Sequence, residues 1–171
     1  MTNYIGATGN YTKNGVPNGF TAITPFIAVN HPSEAIEFYK SVFHARVKDI
    51  TEFSDENGNK VVAHAELDFG NGFLQLGAAN PSFNLVLPPG EDNACYSLGI
   101  YVADVDQVFE HAVAKGARVR EAVTNFVSGD RFGSIWDPFG VRWSIMTRVE
   151  DLSEEESTRR VREWAESSSG N

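Results

Sequence analysis

The chain has 171 residues, 42 % hydrophobic and 12 % aromatic, which is enough to bury a core and excludes a disordered chain. Its formal charge of −9 excludes the basic face that nucleic-acid binding needs, and equally disfavours an anionic membrane surface. A single cysteine, Cys95, excludes an internal disulfide and points to a reducing compartment.

Residues 1–19 carry four glycines without apolar periodicity and read as an extended arm, ordered on a partner subunit. They lack a basic n-region and an apolar run, so no secretory leader is expected. No stretch approaches the ~20 apolar residues of a membrane-spanning helix. The expectation is a cytoplasmic protein that meets neither nucleic acid nor membrane.

Residues 21–29 (TAITPFIAV) are β-rich, with Pro25 near the strand start because it has no N–H to donate. Residues 33–43 place Ala35, Ile36, Tyr39, Val42 and Phe43 on one helical stripe, with Ser33 as N-cap. Strands are predicted over 46–53, 60–69 and 73–77, with Asn57-Gly58 and Gly70-Asn71-Gly72 as turns. Residues 78–93 contain Pro81, Pro88, Pro89 and Gly90 and read as a linker. A strand over 95–102, a helix over 104–115 closed by Gly116, and strands near 118–125, 131–136 and 141–147 follow. Residues 152–166 form a last helix, capped by Ser153 and Glu156, with Leu152 as staple and Val161, Trp164 and Ala165 as its apolar stripe. It reads as a docking helix at a domain or dimer surface, and the final SSSGN as a frayed end.

The order βαβββ thus occurs twice. Val29 lies over Val102 at an offset of 73, Ala45-Arg46-Val47 over Ala117-Arg118-Val119 at 72, and Asp68 over Asp137 at 69. The expected architecture is α+β, two paired βαβββ modules forming a curved mixed sheet around a cavity, a usual place for small ligands. The arm spans 1–19 and the domain 20–150, with module one at 20–77 and module two at 94–148. The C-terminal helix and tail span 151–171.

Three stretches, TPFIAVNHPSEAIEFYKSVF, GDRFGSIWDPFGVRWSIMT and VEDLSEEESTRR, together resemble the vicinal oxygen chelate superfamily of glyoxalases, bleomycin-resistance proteins and extradiol dioxygenases. The likeness covers residues 20–162, is nearest to the PhnB-like branch, and rests most on Asp137-Pro138-Phe139-Gly140. The family's enzymes hold a divalent metal at four symmetric positions on the first and last strand of each module, usually through His or Gln, Glu, His and Glu. Carried over, the resemblance places Thr24, Gln75, Ser97 and Ser144 at those positions, and Val141 where a PhnB-like chain has His. Of the four, only Gln75 is a credible ligand, so the resemblance implies the scaffold without its metal or any other cofactor.

Alternation from these positions puts Thr24, Phe26 and Ala28, then Ser97, Gly99 and Tyr101, then Arg142, Ser144 and Met146 on the cavity face. The opposite residues, among them Ile27, Val29, Leu98, Trp143 and Ile145, are apolar, as a helix-covered face requires. Arg142 either binds a carboxylate or phosphate of a ligand, pairs with an internal acid, or reaches solvent. Trp136 is a candidate for stacking a flat ligand, and Tyr101 and Phe26 are better placed by register. His64 and Glu66 alternate on one strand and suit general acid–base work, or form a polar edge face. Overlay sets His64 over Gly133 and Glu66 over Ile135, which disagrees with alternation about the inward face. Cys95 has nothing near it in sequence to activate it.

Two functions stay open. One is a metal-free protein that binds an apolar or aromatic small molecule and dimerises. The other is a glyoxalase- or dioxygenase-type enzyme with a non-standard site built on Gln75, His64 and Glu66, or a metal-free enzyme using His64 or Arg142.

Overall fold

The computed structural model describes residues 5–90 and 93–168. The expectations for residues 1–4 of the arm, 91–92 of the linker and 169–171 of the tail lie outside the described residues. The chain divides into two compact units, residues 1–87 and 88–171.

Unit one begins with a feature not foreseen in the segment expected to be extended. Thr12–Lys13 (β1) and Val16–Pro17 (β2) pair as an antiparallel hairpin. Asn14 and Gly15 close it with φ of 50° and 81°, the left-handed pair that a two-residue type I′ turn demands.

Phe26–Val29 (β3), Pro32–Phe43 (α1), Arg46–Ser54 (β4), Lys60–Asp68 (β5) and Phe73–Ala78 (β6) then give βαβββ. The sheet order is β3-β6-β5-β4, with β3 parallel to β6 and the other pairs antiparallel. Strand β3 starts later than the composition suggests. Pro25 cannot donate, yet its carbonyl accepts from the Gln75 N–H at 2.8 Å. Helix α1 begins at Pro32 with His31 as N-cap, not Ser33. Proline's fixed φ suits the first helical position, and its missing N–H is one the helix would leave unpaired anyway.

The buried face of α1 (Ala35, Ile36, Tyr39, Val42, Phe43) packs on Ile27, Val29, Ala65, Leu67, Leu74 and Leu76, all under 8 % exposed. Each large apolar side chain removed from water there contributes about 1.5–3 kcal/mol. The core of unit one therefore lies on the helix side of its sheet.

Unit two repeats the plan. Leu98–Tyr101 (β7), Val105–Ala114 (α2), Arg118–Asn125 (β8), Asp130–Trp136 (β9) and Arg142–Arg148 (β10) form a sheet of order β7-β10-β9-β8. The two sheets thus have the same topology, and the internal repeat is real. Asp104 caps α2 by accepting from the Gln107 N–H at 3.0 Å. Val105, Phe109 and Ala112 pack with Ile135, Trp143 and Ile145 on the helix side.

Glu154–Ser168 (α3) closes the unit. Ser153 Oγ accepts from the Glu156 N–H at 3.2 Å, as the capping signature foretold. The helix docks on the β8–β9 turn of its own unit: Ser157 Oγ donates to the Ser128 carbonyl at 2.9 Å, and Trp164 meets Phe126 edge to face at 4.9 Å. Among the described residues no helix is long and apolar enough to cross a membrane.

Glu156 ties α3 together electrostatically. Hydrogen bonds from Arg159 and Arg160 lower its carboxyl from 4.5 to about 2. A carboxyl depressed in the folded state stabilises fully above its unfolded value and loses that contribution as pH falls toward the folded one. Acidification from about 4.5 to about 2 is therefore expected to loosen α3 before the sheet, read as a red shift of Trp164 emission. High salt should mimic part of the effect, because these groups are exposed. An emission that tracks global unfolding at every pH would contradict this.

Candidate functional site

Each sheet has a second face, turned away from its helix. Unit one gathers five of the sequence-predicted residues there. Phe26 and Gln75 are partners across β3 and β6, and Gln75 and Glu66 are partners across β6 and β5. Gln75 Nε2 donates to Glu66 Oε1 at 2.9 Å, partly buried. The His64 ring stacks on Phe26 with centroids 6.0 Å apart and planes 24° apart. Thr24 lies on the same face by alternation, half-buried, two residues ahead of Phe26. Phe73, two before Gln75, stacks on Phe20 at 4.1 Å and 12° and closes that end of the face.

Why His64 and Glu66 point this way was hidden in the sequence. Thr51 pairs with His64, but Glu52 pairs with Val62, so Ala63 is an extra residue on β5. This bulge switches the alternation. Val62, Ala65 and Leu67 turn to the helix side, while His64 and Glu66 share the open side. The overlay that set Glu66 over Ile135 is corrected by one residue. The β5–β6 hairpin closes at Asp68 and Phe73, whereas β9–β10 closes at Trp136 and Arg142, one residue wider. Glu66 is thus the counterpart of Ser134, and Gln75 of Ser144.

Unit two places Ser97, Tyr101, Trp136, Arg142 and Ser144 on its open face. Arg142 partners Trp136, and Ser144 partners both Ser134 and Gly99. Ser97 Oγ donates to the Arg142 carbonyl at 3.5 Å. Tyr101, expected to line a cavity, is 59 % exposed and reaches along the face to donate to Asp130 at 3.4 Å. Asp130, only 8 % exposed, also holds Arg148 Nε at 2.9 Å and accepts from Ser128 Oγ at 2.7 Å. The hydrogen bond with Tyr101 and the charge of Asp130 raise the Arg148 guanidinium above its ordinary value. Trp136 is 5 % exposed. Ser134, which the sequence reading passed over, is fully buried with no hydrogen-bond partner for its Oγ. The signal was present in period-2 spacing from Trp136.

The donors on these faces do not fit the metal that enzymes of the resembled family hold. The four carried-over positions hold one amide and three hydroxyls, and the amide already donates to Glu66. A transition-metal site wants imidazole, carboxylate or thiolate donors. Among the described residues no three His, Cys, Asp or Glu side chains group to hold an ion. A separate open groove of about 620 Å³, between the β8–β9 turn and α3, is lined by Phe126, Val127, Arg160 and Trp164 and includes none of the residues above.

The model of the Glyoxalase/Bleomycin resistance protein/Dioxygenase superfamily matches residues 20–145. An uncharacterised protein of Mycobacterium bovis is 28 % identical over 138 residues, covering 79 % of this chain and 88 % of the relative. The PhnB protein of Bacillus cereus is 23 % identical over a structural match with TM-score 0.58, covering 74 % of this chain and 99 % of that one. The fosfomycin resistance protein FosX of Listeria monocytogenes, solved with Mn(II) and sulfate, matches with TM-score 0.59 at 11 % identity, covering 82 % and 97 %. At such identities the two structural likenesses speak to the fold.

Proposed function

The chain belongs to the glyoxalase/bleomycin resistance protein/dioxygenase superfamily, and from that premise we propose that it binds an apolar or aromatic small molecule without a metal. One observation carries the reading. The half-buried Phe26–His64 stack sits beside the Gln75–Glu66 hydrogen bond on the sheet face turned away from α1. Such a face offers a flat ligand an aromatic surface and a polar edge for orientation. The proposal assigns ligand contact to Thr24, Phe26 and Gln75 in unit one, and to Ser97, Tyr101, Trp136, Arg142 and Ser144 in unit two. It includes a cytoplasmic homodimer. Exposed Ile5 and Tyr11, 89 % and 83 % accessible, support a partner surface on the N-terminal segment.

A thermal-shift screen of aromatic and apolar compounds in chelator-containing buffer tests this. The expected result is at least one stabilising class, whose affinity falls about tenfold in Phe26→Ala, the worth of one aromatic contact. A second reading, an acid–base or metal-assisted enzyme, draws on His64 and Glu66 sharing the face with Gln75. No stabilising class, together with turnover that rises with Mn²⁺, Ni²⁺ or Fe²⁺ and falls in His64→Ala, would replace the first reading by this one.

A further inference from the structure

We infer that Arg142 is the centre of an oxyanion-binding subsite on unit two, which takes the carboxylate or phosphoryl group of a ligand. The inference rests on the binding reading above and names the ligand's class: an aryl or apolar acid.

Arg142 opens β10. Its neighbours Trp143 and Ile145 are buried on the helix side, so Arg142 and Ser144 belong to the other face. Several other arginines of unit two are matched to acids. Arg131 meets Asp106 at 2.6 Å, Arg148 meets Asp130 at 2.9 Å, and Arg160 meets Glu150 at 2.9 Å. Among the described residues Arg142 has no such acid, and its Nε is buried without a hydrogen-bond partner. Among the described residues, then, the internal acid that a purely structural arginine would need is missing.

A second orphan lies close by on the same face. Ser134 is fully buried with an unpartnered Oγ, and it partners Ser144 directly across the β9–β10 ladder. Leaving a buried polar group unsatisfied costs about 1–3 kcal/mol, more for a charged one, so native proteins satisfy such groups. Two donors without acceptors, one of them a guanidinium, ask for an acceptor-rich partner. An oxyanion is the acceptor a guanidinium binds best, through two parallel N–H···O bonds.

The neighbouring residues narrow the class further. Trp136 is the cross-strand partner of Arg142. Trp136 is buried, whereas Tyr96 is 41 % exposed and lines a small cavity with Arg142, so a ligand whose ring lies on Tyr96 and whose acid group meets the guanidinium would use both. The small cavity lined by Tyr96, Val141 and Arg142 measures about 10 Å³, room for one water and no larger acceptor. Arg142 is only partly buried, so a larger acceptor meets the guanidinium at its exposed part, outside this cavity. With the whole chain at −9, an anion is attracted only by a local cation such as this one.

Calorimetric titration of the intact protein with benzoate and phenylphosphonate, against neutral benzamide, tests the inference and ranks the two acids. The anionic probes are expected to bind more tightly than benzamide and to weaken as salt rises. Arg142→Gln should cost them tenfold to a hundredfold, roughly the worth of one charge-assisted pair, and cost benzamide far less. Arg142→Lys, which keeps the charge but loses the fork, should fall between. If benzamide binds as well as the acids, or the acids ignore salt and Arg142→Lys, the inference is overturned while the parent reading stands. If no probe of either class binds, both fall.

Discussion

Asp137→Ala is expected to unfold roughly 10 °C below the parent protein, a loss of about 3–5 kcal/mol. Asp137 is 4 % exposed and is the hub of the β9–β10 hairpin. Its Oδ1 accepts from the N–H groups of Phe139 at 2.9 Å and Val141 at 2.8 Å, and Oδ2 accepts from the Trp143 indole at 3.0 Å. Alanine strands all three donors, and each buried orphan costs about 1–3 kcal/mol, offset in part by no longer desolvating a carboxylate. Asp137→Asn sharpens the test. Its amide oxygen can still serve the two backbone donors, but its NH₂ then faces the Trp143 N–H, so about 1–3 kcal/mol should be lost. Urea midpoints with unchanged m-values would read both. An alanine variant within about 1 kcal/mol of the parent would show that the hub is not stabilising, since that is the ordinary size of a point-mutation effect.

The second large effect is expected at Gly77. A Cβ built there would lie 2.2 Å from the Ala63 carbonyl oxygen, 2.9 Å from its carbon and 3.2 Å from the Phe26 ring. Backbone cannot swing aside as a side-chain tip can. Gly77→Ala should therefore cost about 3 kcal/mol, the upper range for overpacking. The consequence for the site is specific, because Ala63 is the bulge residue that turns His64 and Glu66 to the open face. Forcing β5 and β6 apart there should break the Gln75–Glu66 hydrogen bond, seen as a shift of the Gln75 side-chain amide resonances. Gly72→Ala is the control. Nothing lies within 4 Å of its Cβ position, and a change of under about 0.5 kcal/mol is expected. Equal effects at both glycines would contradict the close approach.

The two predictions mark where the sequence spoke clearly and where it did not. The Asp137 turn was marked in the sequence by Asp-Pro-Phe-Gly, the piece on which the family resemblance most rests, while the bonds of its carboxylate to the backbone two and four residues on are seen only in the structure. The βαβββ order and its repetition were legible too, since apolar periodicity changes from 2 to 3.6 and back in each half. The bulge at Ala63 was not. Nothing in Val61-Val62-Ala63-His64 distinguishes an extra residue from a regular one; what sets Ala63 apart is its close approach to Gly77 across the ladder. The overlay of Glu66 on Ile135 failed for a related reason, a hairpin one residue wider that conserved turn letters concealed. Asn14-Gly15 is a hairpin signal that stands amid four glycines in a segment without apolar periodicity. The orphaned state of Ser134 and of Arg142 Nε depends on burial, which alternation alone does not report.

Metal-free binding of a small molecule is the property most directly open to measurement. Isothermal titration of the strongest aromatic hit would be run on protein dialysed against chelator, then repeated with Mn²⁺ restored. Binding by the open face predicts the same affinity in both, lowered in Phe26→Ala. Binding that vanishes with chelator and returns with the metal would contradict it.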